Sequence, residues 1–198
     1  MNFPPLGRAV SEVGHQGYGW VPGALSPAWC AALIAEVRTL PFVSVPCQVG
    51  GVRQEAEDLA VRVGDVRLPA MAVLADALVR EVVSAGTGVG SLAGYRPDEA
   101  TYQRYRGPAA GISPHRDFKH HRLLVAIFTL VGRARFRIVA DRAGAEVLAS
   151  WEAQAGDLCL LRGPGFGGNL DGRPLHSVGP PLETERVSLA FRMTPSDA

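Results

Sequence analysis

His115-Arg116-Asp117 is where residue types and spacing in this chain point most directly to chemistry. In an extended strand, residues i and i+2 project to one side. His115 and Asp117 therefore offer a nitrogen and an oxygen to the same point, and Arg116 faces away. A further imidazole, His176, stands in Pro174-Leu175-His176-Ser177-Val178, between a glycine-rich loop (163–172) and the turn Gly179-Pro180-Pro181. Two histidines and one carboxylate on one face of a metal suit non-haem iron(II) and leave positions open for a co-substrate and oxygen. An HxD tripeptide is common by chance, so the set needs support from elsewhere in the chain.

That support comes from Arg186-Val187-Ser188-Leu189-Ala190-Phe191-Arg192. Read as a strand, Val187, Leu189 and Phe191 share one face and pack on helices. Arg186, Ser188, Ala190 and Arg192 share the other and line the interior of a barrel. A buried arginine without a partner is expensive. A dicarboxylate answers it, because the guanidinium fork pairs with a carboxylate through two hydrogen bonds. An edge strand with solvated arginines is the competing reading of this segment taken alone.

Taken together, HxD, a distal histidine and Arg-x-Ser about ten residues later resemble the Fe(II)/2-oxoglutarate-dependent oxygenase superfamily. Within it, Arg186-x-Ser188-Leu189-x-Phe191-Arg192 is similar to the last strand of the AlkB-like branch, R-x-N-L-T-F-R. Residues 103–117 (QRYRGPAAGISPHRD) resemble that branch's N-x-Y-x-x-G leading into H-x-D. The likeness spans about residues 99–193. It implies Fe(II) held by His115, Asp117 and His176, with 2-oxoglutarate and O2 as co-substrates. It implies further that Arg186, helped by Ser188, binds the distal carboxylate of 2-oxoglutarate. Arg192 would lie near the chelating end, and Tyr105 would help hold the co-substrate. Gln103 and Ser188 each stand where the AlkB-like pattern has asparagine, which bears on the branch more than on the superfamily. Because the carboxylate of HxD is present, the implied outcome is hydroxylation or oxidative demethylation.

The elements that must position these residues divide the chain in two. Residues 16–22 form a short strand or extended entry. Ser26-Pro27 has the chemistry of a helix start, and the helix is expected to run to about Leu40 before Pro41. Met71, Leu74, Leu78 and Val82 recur at helical spacing over about 69–85, and Gly86 can stop that helix. Residues 43–68 read as a hairpin or lid around Gly50-Gly51. From 99 onward the pattern is strands: 99–106, 123–131, 134–139, 146–151, 157–162 and 185–193. Helices first and antiparallel strands later predict an α+β, mainly β chain: a double-stranded β-helix of jelly-roll or cupin-like form with N-terminal packing helices. One domain is expected over 1–198, with helices and a substrate lid in 1–98 and the jelly-roll core in 99–193.

Composition sets outer limits. With 47% apolar and 20% charged residues, the chain can build an ordinary core without disulfides. Cys30, Cys47 and Cys159 show no CxxC spacing and read as small hydrophobes in a reducing compartment. No signal-peptide pattern and no membrane-spanning run is present in the sequence, so a cytoplasmic location is expected. His120 and His121 are expected on an exposed loop, and Asp157 in a turn. The net charge of +1 does not point to nucleic acid, although arginines crowd 104–142 and can favour an anionic substrate. Two substrate readings stay open: a small molecule (amino acid, nucleoside or biosynthetic intermediate), which the aromatic-poor 43–68 segment favours, and AlkB-type dealkylation of nucleic-acid bases, which would need aromatic stacking. A non-catalytic metal- or ligand-binding jelly-roll is the third.

Overall fold

Ser26 begins its helix as its chemistry requires: its side chain accepts from Trp29 N–H at 3.4 Å and Pro27 takes the first helical position. In the computed structural model, which describes residues 3–195, this helix α2 spans Pro27–Val37. It ends short of Leu40, whose N–H instead closes a turn onto Val37. The later helix, α3 (Pro69–Ala85), buries Met71, Leu74, Leu78 and Val82, the positions its periodicity marked. One helix was not anticipated. In α1 (Gly7–Gln16), Ala9, Val10 and Val13 are buried and Gly17 caps the end in the left-handed region. It has no side-chain N-cap, so the usual start signal was missing.

The strands are β1 (Tyr18–Val21), β2 (Val43–Ser44), β3 (Gln48–Val49), β4 (Val52–Arg53), β5 (Glu57–Arg62), β6 (Glu99–Arg106), β7 (Ile112–His115), β8 (Leu124–Val131), β9 (Arg133–Val139), β10 (Val147–Gln154), β11 (Leu158–Arg162), β12 (His176–Pro181) and β13 (Glu185–Arg192). They form a seven-stranded sheet in the order β1-β11-β8-β13-β6-β5-β2, a four-stranded sheet in the order β10-β9-β12-β7, and the hairpin β3-β4. This is the double-stranded β-helix that the sequence predicted, with helices packed on its larger sheet.

Two cores follow from strand alternation. Ala126, Phe128 and Leu130 of β8 and Leu189 and Phe191 of β13 join Leu33, Leu74 and Leu78 of the helices in the larger core. Residues one step along the strands, such as Val125 and Tyr105, meet Phe136, Ile138 and Trp151 of the smaller sheet between the two sheets. Each fully buried side chain of this size contributes roughly 1.5–3 kcal/mol. The helix-facing half of the larger sheet is thus a continuous apolar support, and its other face is free to carry polar groups.

The 43–68 segment, expected as a hairpin or lid, is in part built into the larger sheet. It contains the hairpin around Gly50-Gly51, but β5 pairs along its whole length with β6 in the larger sheet. Just before β5 the chain runs beside the smaller sheet: Arg53 N–H donates to Ser113 Oγ at 2.9 Å and Glu55 N–H to the Gly111 carbonyl at 3.1 Å. The 52–62 segment therefore links the β7 edge of the smaller sheet to the larger sheet. Gly111 is required there. Its φ is +79°, and a Cβ would lie 2.3 Å from the Val178 carbonyl oxygen.

Candidate functional site

His115 ends β7 and His176 begins β12, and the two are direct cross-strand partners. A position 61 residues away in sequence is thus brought beside the HxD by register alone. The imidazole centroids are 4.2 Å apart, and Phe136 stacks parallel to His176 at 5.6 Å. Asp117 follows within the same cleft, with its Oδ2 3.8 Å from His176 Nε2 and its Oδ1 3.7 Å from Arg192 Nε.

The hydrogen bonds fix the orientation of both rings. His115 Nδ1 lies 3.0 Å from the Ser113 carbonyl, and His176 Nδ1 lies 3.3 Å from the Pro174 carbonyl. A carbonyl only accepts, so each Nδ1 carries the proton and each Nε2 keeps a lone pair. Burial pushes His176 down to about 4, with His115 adding to the effect, and burial lowers His115 as well. Both rings are neutral near pH 7. Burial works to raise the Asp117 carboxyl, but His176, Arg192 and His115 together hold it below its usual value. With both imidazoles neutral, the permanent charge of Arg192 is the cause that persists.

The result is an acceptor facing acceptors. Asp117 Oδ2 is sealed from solvent with no hydrogen-bond partner, and His176 Nε2 confronts it across 3.8 Å. A cation answers this arrangement better than any proton distribution. Two neutral imidazoles and one carboxylate fit Fe(II) in kind. Among the described residues, no three His, Cys, Asp or Glu side chains are drawn together as a finished metal cage.

β13 alternates as its sequence predicted. Arg186, Ser188, Ala190 and Arg192 line one cleft of about 430 Å³ together with His115, Asp117, His176, Tyr105 and Gln103. Arg186 is buried at its inner end. Its Nη1 donates to Ser188 Oγ at 3.3 Å and its Nη2 to Thr129 Oγ1 at 3.1 Å, and its Nε has no partner. Among the described residues no carboxylate pairs with it. Burial pulls its pKa down, with Tyr105 acting against that. The Tyr105 ring lies 5.9 Å from the guanidinium, and its hydroxyl donates to Gln103 Oε1. Arg192 Nη1 donates to Thr101 Oγ1 at 3.0 Å.

All eight residues singled out from the sequence therefore share one cleft. Thr129 was missed, although it is the lone hydroxyl on the inward face of an apolar strand, LVAIFTLV. His121 is a correction: it is buried, not exposed, because Glu99 Oε2 stands 3.7 Å from its Nε2 and Phe118 and His120 pack on it. Cys47 is exposed and is no part of a core. Asp157 is the turn residue expected, accepting from the N–H groups of Gly23 and Gln154. Arg133, Arg135 and Arg137 alternate with buried Ala134, Phe136 and Ile138, so β9 turns its basic residues away from the cleft.

No family model and no curated protein sequence matches the chain. Solved structures do. A Pseudomonas putida prolyl-4-hydroxylase superposes with a TM-score of 0.68 at 19% identity, covering 96% of this chain and 100% of that one. The non-heme alpha ketoglutarate dependent epimerase SnoN from nogalamycin biosynthesis gives 0.65 at 18% identity, over 94% of this chain and 82% of that one. OsALKBH1 gives 0.66 at 14% identity, over 90% of this chain and 99% of that one. At such identities what is shared is the fold.

Proposed function

Since the chain has the fold of the Fe(II)- and 2-oxoglutarate-dependent oxygenases, we propose that it is a dioxygenase of that kind, which hydroxylates or oxidatively demethylates an organic substrate, a small molecule in preference to a nucleic acid. The observation that carries this reading is Arg186: a buried cation without a carboxylate partner among the described residues, at the inner end of the cleft that holds the His115–Asp117–His176 set. Leaving an ion so placed costs several kcal/mol unless a counter-charge arrives. A linear dicarboxylate satisfies both ends of the cleft.

His115 Nε2, His176 Nε2 and an Asp117 oxygen would hold the metal. Iron(II) there would supply oxygen activation coupled to oxidation of 2-oxoglutarate to succinate and carbon dioxide. Ser113 and Pro174 hold the imidazoles by their Nδ1–H groups and so keep the Nε2 lone pairs directed inward. Arg186 would take the far carboxylate of 2-oxoglutarate, with Ser188 and Thr129 fixing the fork. Tyr105 and Gln103 would border the chain of the co-substrate. Arg192, anchored to Thr101, would balance charge at the Asp117 end. The stacked Phe136 and the apolar Ile127 and Val178 exclude water from the side walls.

Succinate release tests the reading. It should require Fe(II), 2-oxoglutarate and oxygen and should rise with a true substrate. His176→Ala should abolish it and should also remove Mn(II) binding measured by titration; an unchanged metal affinity would defeat the ligand assignment. Nucleic-acid dealkylation is the second reading, favoured by a groove on the outer side of the smaller sheet edged by Arg53, Arg135 and Arg137. Affinity for a methylated oligonucleotide should then fall steeply with salt.

A further inference from the structure

β5 lies one strand out from the lining of the cleft and carries residues that the proposed chemistry leaves unused. Its register on β6 sets Asp58 opposite Gln103, Ala60 opposite Thr101 and Arg62 opposite Glu99. Gln103 and Thr101 line the cleft, so alternation puts Asp58, Ala60 and Arg62 on the same face, one strand further out. β13 extends the rows inward: Gln103 is opposite Ser188 and Thr101 is opposite Ala190. One row therefore runs Thr129, Ser188, Gln103, Asp58. The next runs Ile127, Ala190, Thr101, Ala60, and its small outer side chains leave a low floor open to solvent at Ala60.

Asp58 is the unexplained member. Its Oδ1 is sealed from solvent and no hydrogen bond reaches it. The neighbours do not account for it. The amide oxygen of Gln103 is taken by Tyr105, so its nitrogen is the donor turned to Asp58; it lowers the carboxyl but leaves Oδ1 without a hydrogen bond. Arg192 is engaged by Thr101 and stands against Asp117. Val43, opposite Asp58 on β2, brings no charge. Burial pushes the Asp58 carboxyl up, while Gln103 and Arg192 pull it the other way. A buried acceptor left unmet destabilises by about 1–3 kcal/mol, and more if charged. Asp58 adjoins the lining residue Gln103, and a donor on a ligand that extends from the cleft over β5 would remove that penalty.

We propose that Asp58 is a specificity-determining residue of this cleft, accepting a hydrogen bond from a protonated amine or guanidine nitrogen of a small substrate that lies over the Thr101–Ala60 row. A cationic donor is favoured over a neutral one because charge-assisted bonds are about twice as strong. The word substrate rests on the oxygenase reading; the preference for a cation does not.

The full chain is titrated by NMR with n-butylamine and n-butylguanidine and with their neutral counterparts n-butanol and n-butylurea, with and without 2-oxoglutarate and Zn(II). The cations should bind at least ten-fold tighter and shift the amide signals of Asp58, Gln103 and Thr101. Asp58→Asn should abolish that ten-fold difference, and Asp58→Glu should keep part of it, while the Kd for 2-oxoglutarate stays within two-fold of wild type in both. Equal binding of cations and neutral probes, no binding of any, or an undiminished preference in Asp58→Asn overturns the proposal. If 2-oxoglutarate itself fails to bind, the oxygenase reading falls, while the cation preference is still measured in its absence.

Discussion

Arg186→Met should separate stability from function in opposite directions. Arg186 is buried, and among the described residues its hydrogen-bond partners are two hydroxyls, at 3.1 and 3.3 Å. Exchanging a buried ion for an apolar side chain of similar volume is often neutral or stabilising by about 1–4 kcal/mol. The exchange also strands Ser188 Oγ and Thr129 Oγ1, at about 1 kcal/mol each. Because no counter-ion offsets this buried charge, the upper half of that range, about 2–4 kcal/mol, applies; the balance lies between zero and about 2 kcal/mol in favour of the variant, and for a chain of this length 1 kcal/mol moves Tm by about 2–4 °C. Without co-substrate, the variant should melt at the wild-type temperature or several degrees above it. Wild type with 2-oxoglutarate at a hundred times its Kd gains about 2.7 kcal/mol, and Tm should rise by roughly 5–10 °C. The variant loses two charge-assisted hydrogen bonds at about 1.5–3 kcal/mol each, which is a hundred-fold or greater rise in Kd at about 1.4 kcal/mol per ten-fold. Its melting temperature should then ignore 2-oxoglutarate. Melts followed by near-UV circular dichroism, with and without 2-oxoglutarate, check both halves. A variant that melts well below wild type, or one that keeps the 2-oxoglutarate shift, refutes the assignment of Arg186 as an anion receptor awaiting its partner.

Other consequences are as direct. Burial holds His121 and His176 near about 4, against about 6.5 in the unfolded chain. The unfolded state therefore takes up protons that the native state refuses, and stability should fall as pH drops from about 6.5 to about 4 and be flat above that window. Urea melts of the metal-free chain at pH 7.5, 5.5 and 4.5 test this, and equal stabilities would contradict it. Gly111→Ala must accept a left-handed residue at about 1–2 kcal/mol and a collision with Val178 O at 2.3 Å; it should lower stability by more than about 2 kcal/mol and weaken Mn(II) binding by displacing β7, which denaturation and metal titration read separately. Ser26→Ala should cost about 1 kcal/mol through lost capping with no change in metal affinity; an altered affinity would mean that α2 does more than support the sheet.

The site was legible because strand alternation converts sequence into geometry. Val187, Leu189 and Phe191 declare which side of β13 is apolar, so Arg186 and Ser188 had to be opposite; His115 and Asp117 reach one cleft as expected, but β7 ends at His115 and Asp117 lies in the loop just beyond it. Long-range pairing was harder. Nothing near His176 states that its partner is His115; that depends on β12 lying between β9 and β7. Nor does Glu57–Arg62 announce itself as sheet rather than lid, because a mixed burial pattern beside short hairpin strands has no clear period. α1 lacked a capping side chain, and its buried apolar positions at Ala9, Val10 and Val13 were too few to outweigh that. His121 was misplaced because its burial comes from Glu99, Phe118 and His120 folding around it, a tertiary effect without a local signature.

β13 follows in sequence every strand that it pairs with, yet it sits between β6 and β8 near the middle of the larger sheet. During synthesis β6 and β8 leave the ribosome with facing edges unfilled, and the gap closes only when Glu185–Arg192 arrives. A premature stop before Glu185 would therefore remove a central strand rather than trim an end. The shortened product would expose two open strand edges and the apolar surface that Leu189 and Phe191 normally cover, a combination that favours association between chains. Quality control of nascent chains should treat such truncations as far worse than their missing length implies.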